Sequence, residues 1–174
     1  MGFVWVLRLG HRRERDKRLT THCALIARAF GAARFYYTGE RDESFEKSAA
    51  SVAKRWGGKF KVAHSASWRK VFTAARAKGA RVVHLTMYGE PFESAALKPP
   101  LLLVVGGEKV HWEVYKEADG NASVTNQPHS EAGALAVVMH SLGLKPVFSG
   151  AKIRVESNPR GKTVFNARKG KGRR

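Results

Sequence analysis

Residues 3–38 read FVWVLRLGHRRERDKRLTTHCALIARAFGAARFYYT. The segment FVWVLRL (3–9), rich in β-branched and aromatic residues, is typical of a strand, and RFYYT (34–38) of a second strand. Between them, TTHCALIARAFGA (20–32) has the apolar spacing of a helix that ends at a glycine. A strand, a helix and another strand in succession predict a β–α–β unit whose two strands are parallel.

The same alternation continues along the chain. Further strands are predicted at KFKVA (59–63), RVVHLTM (81–87) and PLLLVVG (100–106). Further helices are predicted at DESFEKSAASVAKRWGG (42–58), SASWRKVFTAARAKG (65–79), HWEVYKEA (111–118) and AGALAVVMHSLG (132–143). Strands separated by single helices predict the α/β class, with a mostly parallel sheet that has helices on both faces.

The C-terminal part of the chain has a different pattern. AKIRVE (151–156) and KTVFNA (162–167), joined by SNPRG, predict a β-hairpin with a Pro/Gly turn. We therefore expect one α/β domain over residues 1–150, a hairpin extension over 151–167 and a flexible basic tail over 168–174.

The charge of the chain indicates a polyanionic partner. Its 174 residues include 32 Lys and Arg against 14 Asp and Glu, a net charge of +18. A membrane is disfavoured because the longest aliphatic run, LLLVV (101–105), is far shorter than a bilayer span, and the N-terminal apolar stretch precedes its basic one. The single cysteine, Cys23, cannot form an intrachain disulfide. We expect a cytoplasmic protein that binds RNA or DNA.

Ligands of open parallel sheets bind outside the carboxyl ends of the strands. Three segments of the chain are predicted to lie there, two of them after strands and one before the last helix. They are HLTMYGE (84–90), GGEKV (106–110) and TNQPHSE (125–131). Gly106 and Gly107 would let the backbone approach a ligand, although a tight turn explains two glycines equally well. Neither the phosphate-loop nor the dinucleotide fingerprint is present, which disfavours an NAD-dependent enzyme.

The polar cluster TNQPHSE stands directly before the most apolar helix of the chain. Helix capping explains Asn126, Ser130 and Glu131, and the proline suits the first turn of a helix. Capping leaves Gln127 and His129 without a role. The cluster therefore predicts a ligand site at the start of a helix that is buried or lies at a subunit interface.

A second charged segment, RLGHRRERDKRLTTH (8–22), has six basic residues at the first strand–helix connection. A solvated loop is one interpretation, and the positioning of a phosphodiester backbone is the other. The candidate RNA contacts are Arg8, Arg12 and Arg15, together with Arg168 and Lys169 of the tail.

The seven histidines of the sequence lack the spacing of a metal site. No HExxH or HxH pattern is present, so we expect no bound metal. For His11, His22, His84 and His129, a plain hydrogen-bonding role is the expected one.

Four motifs in this order resemble a known family. RLGHRxxRDxRxTTH, VHLTMYG, VGGEKVxxEVYxxAD and NQPHSExxALAV are similar to those of the archaeal tRNA ribose 2′-O-methyltransferases that modify cytidine 56 in the TΨC loop, a SPOUT-class family. The similarity runs from about residue 5 to residue 165, and GGEK and the NQPHSE helix resemble the second and third general SPOUT motifs.

This resemblance implies a fold and a site beyond the reach of the pattern itself. It implies a C-terminal trefoil knot, which generic topology rules would reject, and a homodimer. It implies S-adenosylmethionine as the cofactor and tRNA as the substrate. The implied cofactor residues are Leu85, Gly106, Gly107, Glu108, Lys109, Val110, Val124, Thr125, Asn126, Gln127, Pro128, His129, Ser130 and Glu131.

One position departs from the SPOUT pattern. Many ribose methyltransferases of this class carry an arginine in the first helix that activates the ribose hydroxyl. When AFGA (29–32) is aligned with the usual end of that helix, Leu25 stands at the position of this arginine. Other polar residues around this helix must then assist the reaction. We expect Arg18, which would stabilise a developing alkoxide, and in second place His22, which could accept the proton.

The alternative to an enzyme is a non-catalytic basic protein that binds tRNA or the ribosome. It explains the charge and the tail, but not the three ligand segments. Titration with S-adenosylmethionine distinguishes the two hypotheses.

Overall fold

The computed structural model describes residues 2–107 and 109–167; the predicted tail (168–174), with Arg168 and Lys169, lies outside them, as does Glu108. In the described residues the strands are β1 (Val4–His11), β2 (Arg34–Gly39), β3 (Lys61–His64), β4 (Arg81–Pro91), β5 (Leu101–Val105), β6 (Gly120–Ser123), β7 (Ile153–Glu156) and β8 (Thr163–Asn166). The helices are α1 (Arg13–Ala29), α2 (Glu43–Trp56), α3 (Trp68–Arg76), α4 (Trp112–Glu117) and α5 (Glu131–Ser141).

Six strands form one sheet in the order β3-β2-β1-β5-β4-β6. All neighbouring strands in it are parallel, which confirms the predicted α/β class. Strand β5 lies between β1 and β4, and all five of its residues are buried. A strand covered on both faces gains from an unbroken aliphatic run, since each buried aliphatic side chain contributes about 1.5–3 kcal/mol relative to exposure.

Helices cover both faces of the sheet, as predicted. One apolar cluster joins Leu101, Leu103 and Val105 to residues of α1, α2 and α5. The other joins Leu102 and Val104 to residues of α3 and α4. Successive side chains of a strand point to opposite faces, so β5 alone supplies both clusters.

The predicted start of the first helix was wrong. Helix α1 begins at Arg13, seven residues before the predicted Thr20. Asp16 accepts hydrogen bonds from the backbone N–H of Arg12 at 3.2 Å and from its Nε at 2.9 Å, which organises the first turn. The density of charge in this segment suggested a solvated loop, but Glu14 and Asp16 lie at the positive end of the helix dipole and favour the helix.

The path before α5 also differs from the prediction. This helix begins at Glu131, so Pro128 precedes it and does not occupy its first turn. Strand β6, which the sequence pattern did not reveal, is only four residues long and reads GNAS. It lacks the β-branched residues that make a strand recognisable, and its pairing with β4 establishes it.

The two predicted C-terminal strands form a separate two-stranded antiparallel sheet, β7–β8. Arg154 pairs with Phe165 and Val155 with Val164, so these two pairs lie on opposite faces. In the described residues no helix is long and apolar enough to cross a membrane.

Candidate active site

A cleft of about 500 Å³ opens at the carboxyl ends of β1, β4 and β5. We call it the main cleft. Its size falls within the roughly 300–1,000 Å³ typical of small-molecule sites. Its walls come from residues 84–88 within β4, the segment after β5, the residues around the start of α5, and the first turns of α1. The three ligand segments predicted from sequence therefore meet at one edge of the sheet.

The main cleft brings together half of the predicted cofactor residues. Those that line it are Leu85, Gly106, Gly107, Val110, Pro128, His129 and Glu131. The predicted RNA contacts Arg8, Arg12 and Arg15 line it as well. Lining residues that the sequence did not single out as site residues are Asp16, Leu19, His84, Thr86, Met87, Tyr88, Tyr115 and Ala134. His84 and Thr86–Tyr88 belong to the predicted ligand segment HLTMYGE, of which only Leu85 was predicted to be a cofactor residue.

The other predicted cofactor residues that the structure describes do not line the main cleft. Lys109 lines a neighbouring groove, and Val124 packs on the apolar core. Thr125 and Gln127 are exposed, and the backbone oxygen of Gln127 contacts Nδ1 of His129 at 2.7 Å. The contact of these residues with a cofactor stays a prediction.

Two polar residues of this segment have structural partners. Ser130 caps α5, because its Oγ accepts a hydrogen bond from the backbone N–H of Gly133 at 3.1 Å. Asn126 does not cap the helix. Its Nδ2 donates to the carbonyl oxygen of Met87 at 2.6 Å, which ties the segment before α5 to the end of β4.

The two glycines after β5 differ in the space around them. A Cβ on Gly106 would lie 2.1 Å from Cγ2 of Val110, so a side chain there requires Val110 to move. A Cβ on Gly107 would meet only the carbonyl oxygen of Leu9, at 3.6 Å, which is an ordinary contact. The fold therefore has room for a side chain at Gly107. That side chain would extend into the main cleft.

Arg8 is a buried cation at the floor of the main cleft. It is 1% exposed, and its Nη2 lies 3.2 Å from Oε1 of Glu131 and 4.0 Å from Oδ2 of Asp16. Its Nε is buried without a hydrogen-bond partner among the described residues. These contacts join β1 to α1 and α5, so the Arg8 side chain is already bound within the protein. Its contact with RNA stays a prediction.

Asp16 is a carboxylate of the main cleft that lies close to both Arg12 and Arg8. The hydrogen bond from Arg12 is the main cause that lowers the pKa of Asp16, with Arg8 adding to it against the effect of burial. Asp16 is therefore ionised at neutral pH, and it offsets part of the charge of Arg12 and Arg8.

His84 is a neutral hydrogen-bonding group beside Gly106. Its Nδ1 lies 3.1 Å from Oδ1 of Asn121, and Nδ2 of Asn121 donates to the carbonyl oxygen of Tyr115 at 2.9 Å. This orientation of Asn121 makes its Oδ1 an acceptor, so Nδ1 of His84 carries the proton and Nε2 has a lone pair. Burial lowers the pKa of His84 and favours this neutral form. The expected hydrogen-bonding role of His84 is thus observed.

The two predicted catalytic residues lie on α1 and do not line the main cleft. Arg18 was expected before the helix, but it lies within α1, and both Arg18 and His22 are exposed. Leu25, one helical turn after His22, is an exposed apolar residue, as is Val137 on α5. The catalytic role of Arg18 and His22 stays a prediction.

A second, open groove adjoins the main cleft at Arg12, Arg15 and Gly107, which line both. It has a volume of about 640 Å³, and its charged lining residues are Arg12, Arg15, Lys109 and Glu40. Among the lining residues that the structure describes, cations outnumber carboxylates, which makes this groove suitable for a polyanion that reaches the main cleft from outside.

Other reactive groups in the described residues are few. Burial raises the pKa of the Cys23 thiol to about 12, so it is not a nucleophile. In the described part of the chain no cluster of three His, Cys, Asp or Glu could hold a metal ion.

Comparison with solved structures defines the class of the fold. The chain is similar to the A. aeolicus TrmH/SpoU tRNA modifying enzyme, with a TM-score of 0.61 and 13% identity over 82% of this chain and 74% of that one. It is also similar to the SpoU methyltransferase AviRb from Streptomyces viridochromogenes in complex with AdoMet, with a TM-score of 0.63 and 18% identity over 81% of this chain and 57% of that one. The fold is that of the SpoU/TrmH RNA methyltransferases.

Sequence comparison defines the family. The family model for tRNA ribose 2′-O-methyltransferase, aTrm56, matches residues 56–165. The tRNA (cytidine(56)-2′-O)-methyltransferase of Thermococcus kodakarensis is 47% identical over 174 residues, which cover 93% of this chain and 96% of that protein. The chain belongs to the aTrm56 family of tRNA ribose 2′-O-methyltransferases, as its motifs indicated.

Proposed function

We propose that this protein transfers a methyl group from S-adenosylmethionine to the ribose 2′-hydroxyl of cytidine 56 in tRNA. The observation that carries the proposal is the near full-length identity to a relative named for this reaction. The AdoMet bound to a protein of the same fold supports the cofactor. Because tRNA is the proposed substrate, we propose a cytoplasmic location.

The residues of the main cleft fit this cofactor. Leu19, Leu85 and Ala134 supply apolar wall, and the backbone at Gly107 is open to a flat group. Nε2 of His84 offers an acceptor, because the hydrogen bond to Asn121 assigns the proton to Nδ1. S-adenosylmethionine supplies an activated methyl group on sulfur when it is bound, so the protein has mainly to position the ribose and assist loss of its proton.

The cations at the mouth of the main cleft can position the substrate. Arg12 and Arg15 line both the main cleft and the second groove, so a phosphodiester that follows the groove would reach the cleft beside them. Asp16, held by Arg12, limits the local excess of positive charge. This arrangement favours a bound strand whose ribose is directed into the cleft.

We further propose a homodimer in which Arg18 and His22 act in the partner's cleft. Neither lines the described cleft of its own chain, and both lie on α1, which packs against α5. Helix α5 is apolar on most sides, and it leaves Val137 44% exposed. An apolar helix with an uncovered side supports a subunit interface.

The proposed trefoil knot rests on the path after β6. Strand β6 pairs with β4 on both sides of residues 86–89, and the backbone N–H of Phe92 donates to the carbonyl oxygen of Ser123. The chain then turns inward, so that Glu131 meets Arg8 under the cleft. This inward path beside the connection from β4 to β5 supports a threaded C-terminal segment.

Methyl transfer to defined tRNA transcripts tests the function. Label from S-adenosylmethionine should enter an unmodified transcript, and a transcript with a 2′-deoxyribose at position 56 alone should accept none. Equal labelling of both transcripts would move the target to another nucleotide. Binding of tRNA without any transfer would favour the non-catalytic alternative.

A further inference from the structure

A third concave surface lies on the C-terminal sheet, away from the main cleft. It has a volume of about 380 Å³, and its lining includes Phe148, Lys152, Arg154, Phe165 and Asn166. We call it the C-terminal groove. Its size matches a single nucleotide better than an extended surface.

The C-terminal groove combines aromatic rings with cations. Phe148 is 38% exposed, and the guanidinium of Arg28 lies 4.9 Å from the centre of its ring. The guanidinium of Arg154 lies 5.5 Å from the centre of the Phe165 ring. Sites for single-stranded nucleic acid combine these two elements, because rings stack on bases and cations contact phosphates.

The groove is held firmly to the α/β domain. The backbone N–H of Lys152 donates to the carbonyl oxygen of Arg55 at 2.8 Å, and that of Gly58 donates to Ser149 at 3.0 Å. A Cβ on Gly57 would lie 2.6 Å from the carbonyl oxygen of Phe148, so this segment packs directly on the glycine backbone. The rings are therefore presented by a fixed surface.

The position of the groove separates it from the cofactor. Its contacts are with Arg55 and Gly57 at the end of α2 and with Arg28 in the last turn of α1. Helices that connect parallel strands run antiparallel to them, so these helix ends lie at the edge of the sheet opposite to the main cleft. With eight residues in β1, the two sites are on the order of 25 Å apart.

The charge of this region favours RNA over a protein partner. From residue 152 to residue 174 the sequence has nine basic residues and one acid, Glu156. Five of these cations follow directly after Ala167, which lines the groove: Arg168, Lys169, Lys171, Arg173 and Arg174. So dense a positive charge attracts a phosphate backbone.

We propose that the C-terminal groove is a second RNA-binding site, which takes an unstacked nucleotide of the tRNA. The base stacks on Phe165 or Phe148, and Lys152 and Arg154 contact its phosphates. The proposal rests on the proposed function in taking tRNA as the RNA. It adds a contact that serves tRNA affinity and has no part in cofactor binding or in the transfer step.

Two variants of the groove and one matched control test the proposal. Phe165→Leu removes the stacking surface with little loss of volume, and Arg154→Ser removes a cation that contacts phosphate. Val155→Ala alters the opposite face of the same sheet, where Val155 is 54% exposed. Affinity for unmodified tRNA and for the oligonucleotide rU6 is measured without cofactor at several salt concentrations.

Phe165→Leu should weaken RNA binding by about 5- to 150-fold, the range for loss of one base–aromatic stack. Arg154→Ser should flatten the salt dependence by roughly 0.7 for each phosphate that the variant no longer neutralises. The KM for tRNA should rise in both, while kcat at saturating tRNA and the affinity for S-adenosylmethionine stay at the level of Val155→Ala. Unchanged RNA affinity in both groove variants would overturn the proposal.

Size-exclusion chromatography of the same variants distinguishes a protein interface. A change from dimer to monomer in Phe165→Leu would assign the groove to a second copy of the chain and overturn the RNA site. A failure of the proposed function gives a different result. If the wild-type protein binds rU6 but transfers no methyl group, the proposed function is contradicted and the RNA site in the C-terminal groove is not.

Discussion

Arg8 and Glu131 are 123 positions apart in the chain, and their side chains form a hydrogen-bonded ion pair of 3.2 Å beneath the main cleft. The pair joins the end of β1 to the first residue of α5. Arg8 is almost wholly buried, so its charge needs a partner within the protein. The pair thus connects the stability of the fold to the shape of the main cleft.

Loss of Glu131 should destabilise the protein. Glu131→Gln leaves the buried guanidinium of Arg8 with a neutral partner, and we expect the free energy of unfolding to fall by about 1.5–3 kcal/mol, the range for a hydrogen bond to a charged group. The free energy of unfolding is measured by urea denaturation of three variants: Glu131→Gln, Arg8→Met and the double variant. Strictly additive effects in this cycle would show that the two side chains do not interact.

Gly107→Val should abolish cofactor binding while the fold persists. A Cβ at this position has room on the protein side, so the added side chain extends into the main cleft. Calorimetric titration with S-adenosylmethionine should show no binding, and the urea midpoint should match that of wild type. Gly161→Ala, a glycine with similar room but distant in the C-terminal turn, is the control. Normal titration of Gly107→Val would remove this loop from the cofactor site.

The protein should lose stability between about pH 6.5 and pH 5. Burial is the main cause that lowers the pKa of His84 and of His11, so below the ordinary pKa the unfolded chain binds protons that the folded chain does not. Stability from these groups is therefore present above the unfolded pKa and falls as the pH decreases. The carboxylate of Asp16, whose pKa is lowered, contributes only at more acidic pH, near its ordinary value of about 3.9.

Replacement of His84 should flatten this pH dependence. The free energy of urea unfolding of His84→Gln should change less between pH 7 and pH 5 than that of wild type, in the absence of cofactor. His140→Gln, at an exposed histidine of α5, is the control for the loss of one imidazole side chain. The same slope in His84→Gln as in wild type would show that His84 is not the buried group that titrates.

Arg18→Ala should slow single-turnover methyl transfer on saturating tRNA by about 10²–10³-fold, the range for loss of one electrostatic interaction with a developing oxyanion. Its affinity for S-adenosylmethionine should be unchanged, since Arg18 does not line the main cleft. If His22 were the group that matters, His22→Ala would lose this rate and Arg18→Ala would keep it.

Mixing of the slowed Arg18→Ala variant with the Gly107→Val variant tests whether Arg18 acts across a dimer. Arg18→Ala keeps an intact cofactor cleft, and Gly107→Val keeps an intact Arg18. If Arg18 serves the partner's cleft, mixed dimers contain one complete site, and activity should return after subunit exchange. A mixture whose rate stays low, with exchange verified by mass, would confine Arg18 to its own chain or remove it from the reaction.

Deletion of residues 168–174 should weaken tRNA binding and leave cofactor binding unchanged. The deletion removes five cations, and the salt dependence should flatten by roughly 0.7–0.9 for each phosphate that these cations neutralise in the full chain. Filter binding of tRNA at several salt concentrations measures the slope. Equal slopes for the full and the shortened chain would show that Arg168 and Lys169 do not contact RNA.

Local patterns in the sequence were sufficient to predict the parallel sheet and the three segments that meet in the main cleft. The run LLLVV (101–105) predicted a strand buried on both faces, and β5 is one. The segments HLTMYGE, GGEKV and TNQPHSE predicted a ligand site, and all three contribute to the main cleft. Strand periodicity and the geometry of parallel sheets explain this, because both depend on residues near one another in the chain.

Short-range sequence patterns were therefore enough to predict the α/β class, the family, and the three segments that come together at one edge of the sheet. The sequence patterns did not predict that Arg8 is a buried partner of Glu131, that β6 pairs with β4, or that Lys109 lines the neighbouring groove. Each of these depends on contacts between segments distant in the chain. Hydrophobic periodicity in the sequence indicates which side of a helix or strand is apolar. Packing, desolvation and charge pairing determine which other segment of the chain covers that side.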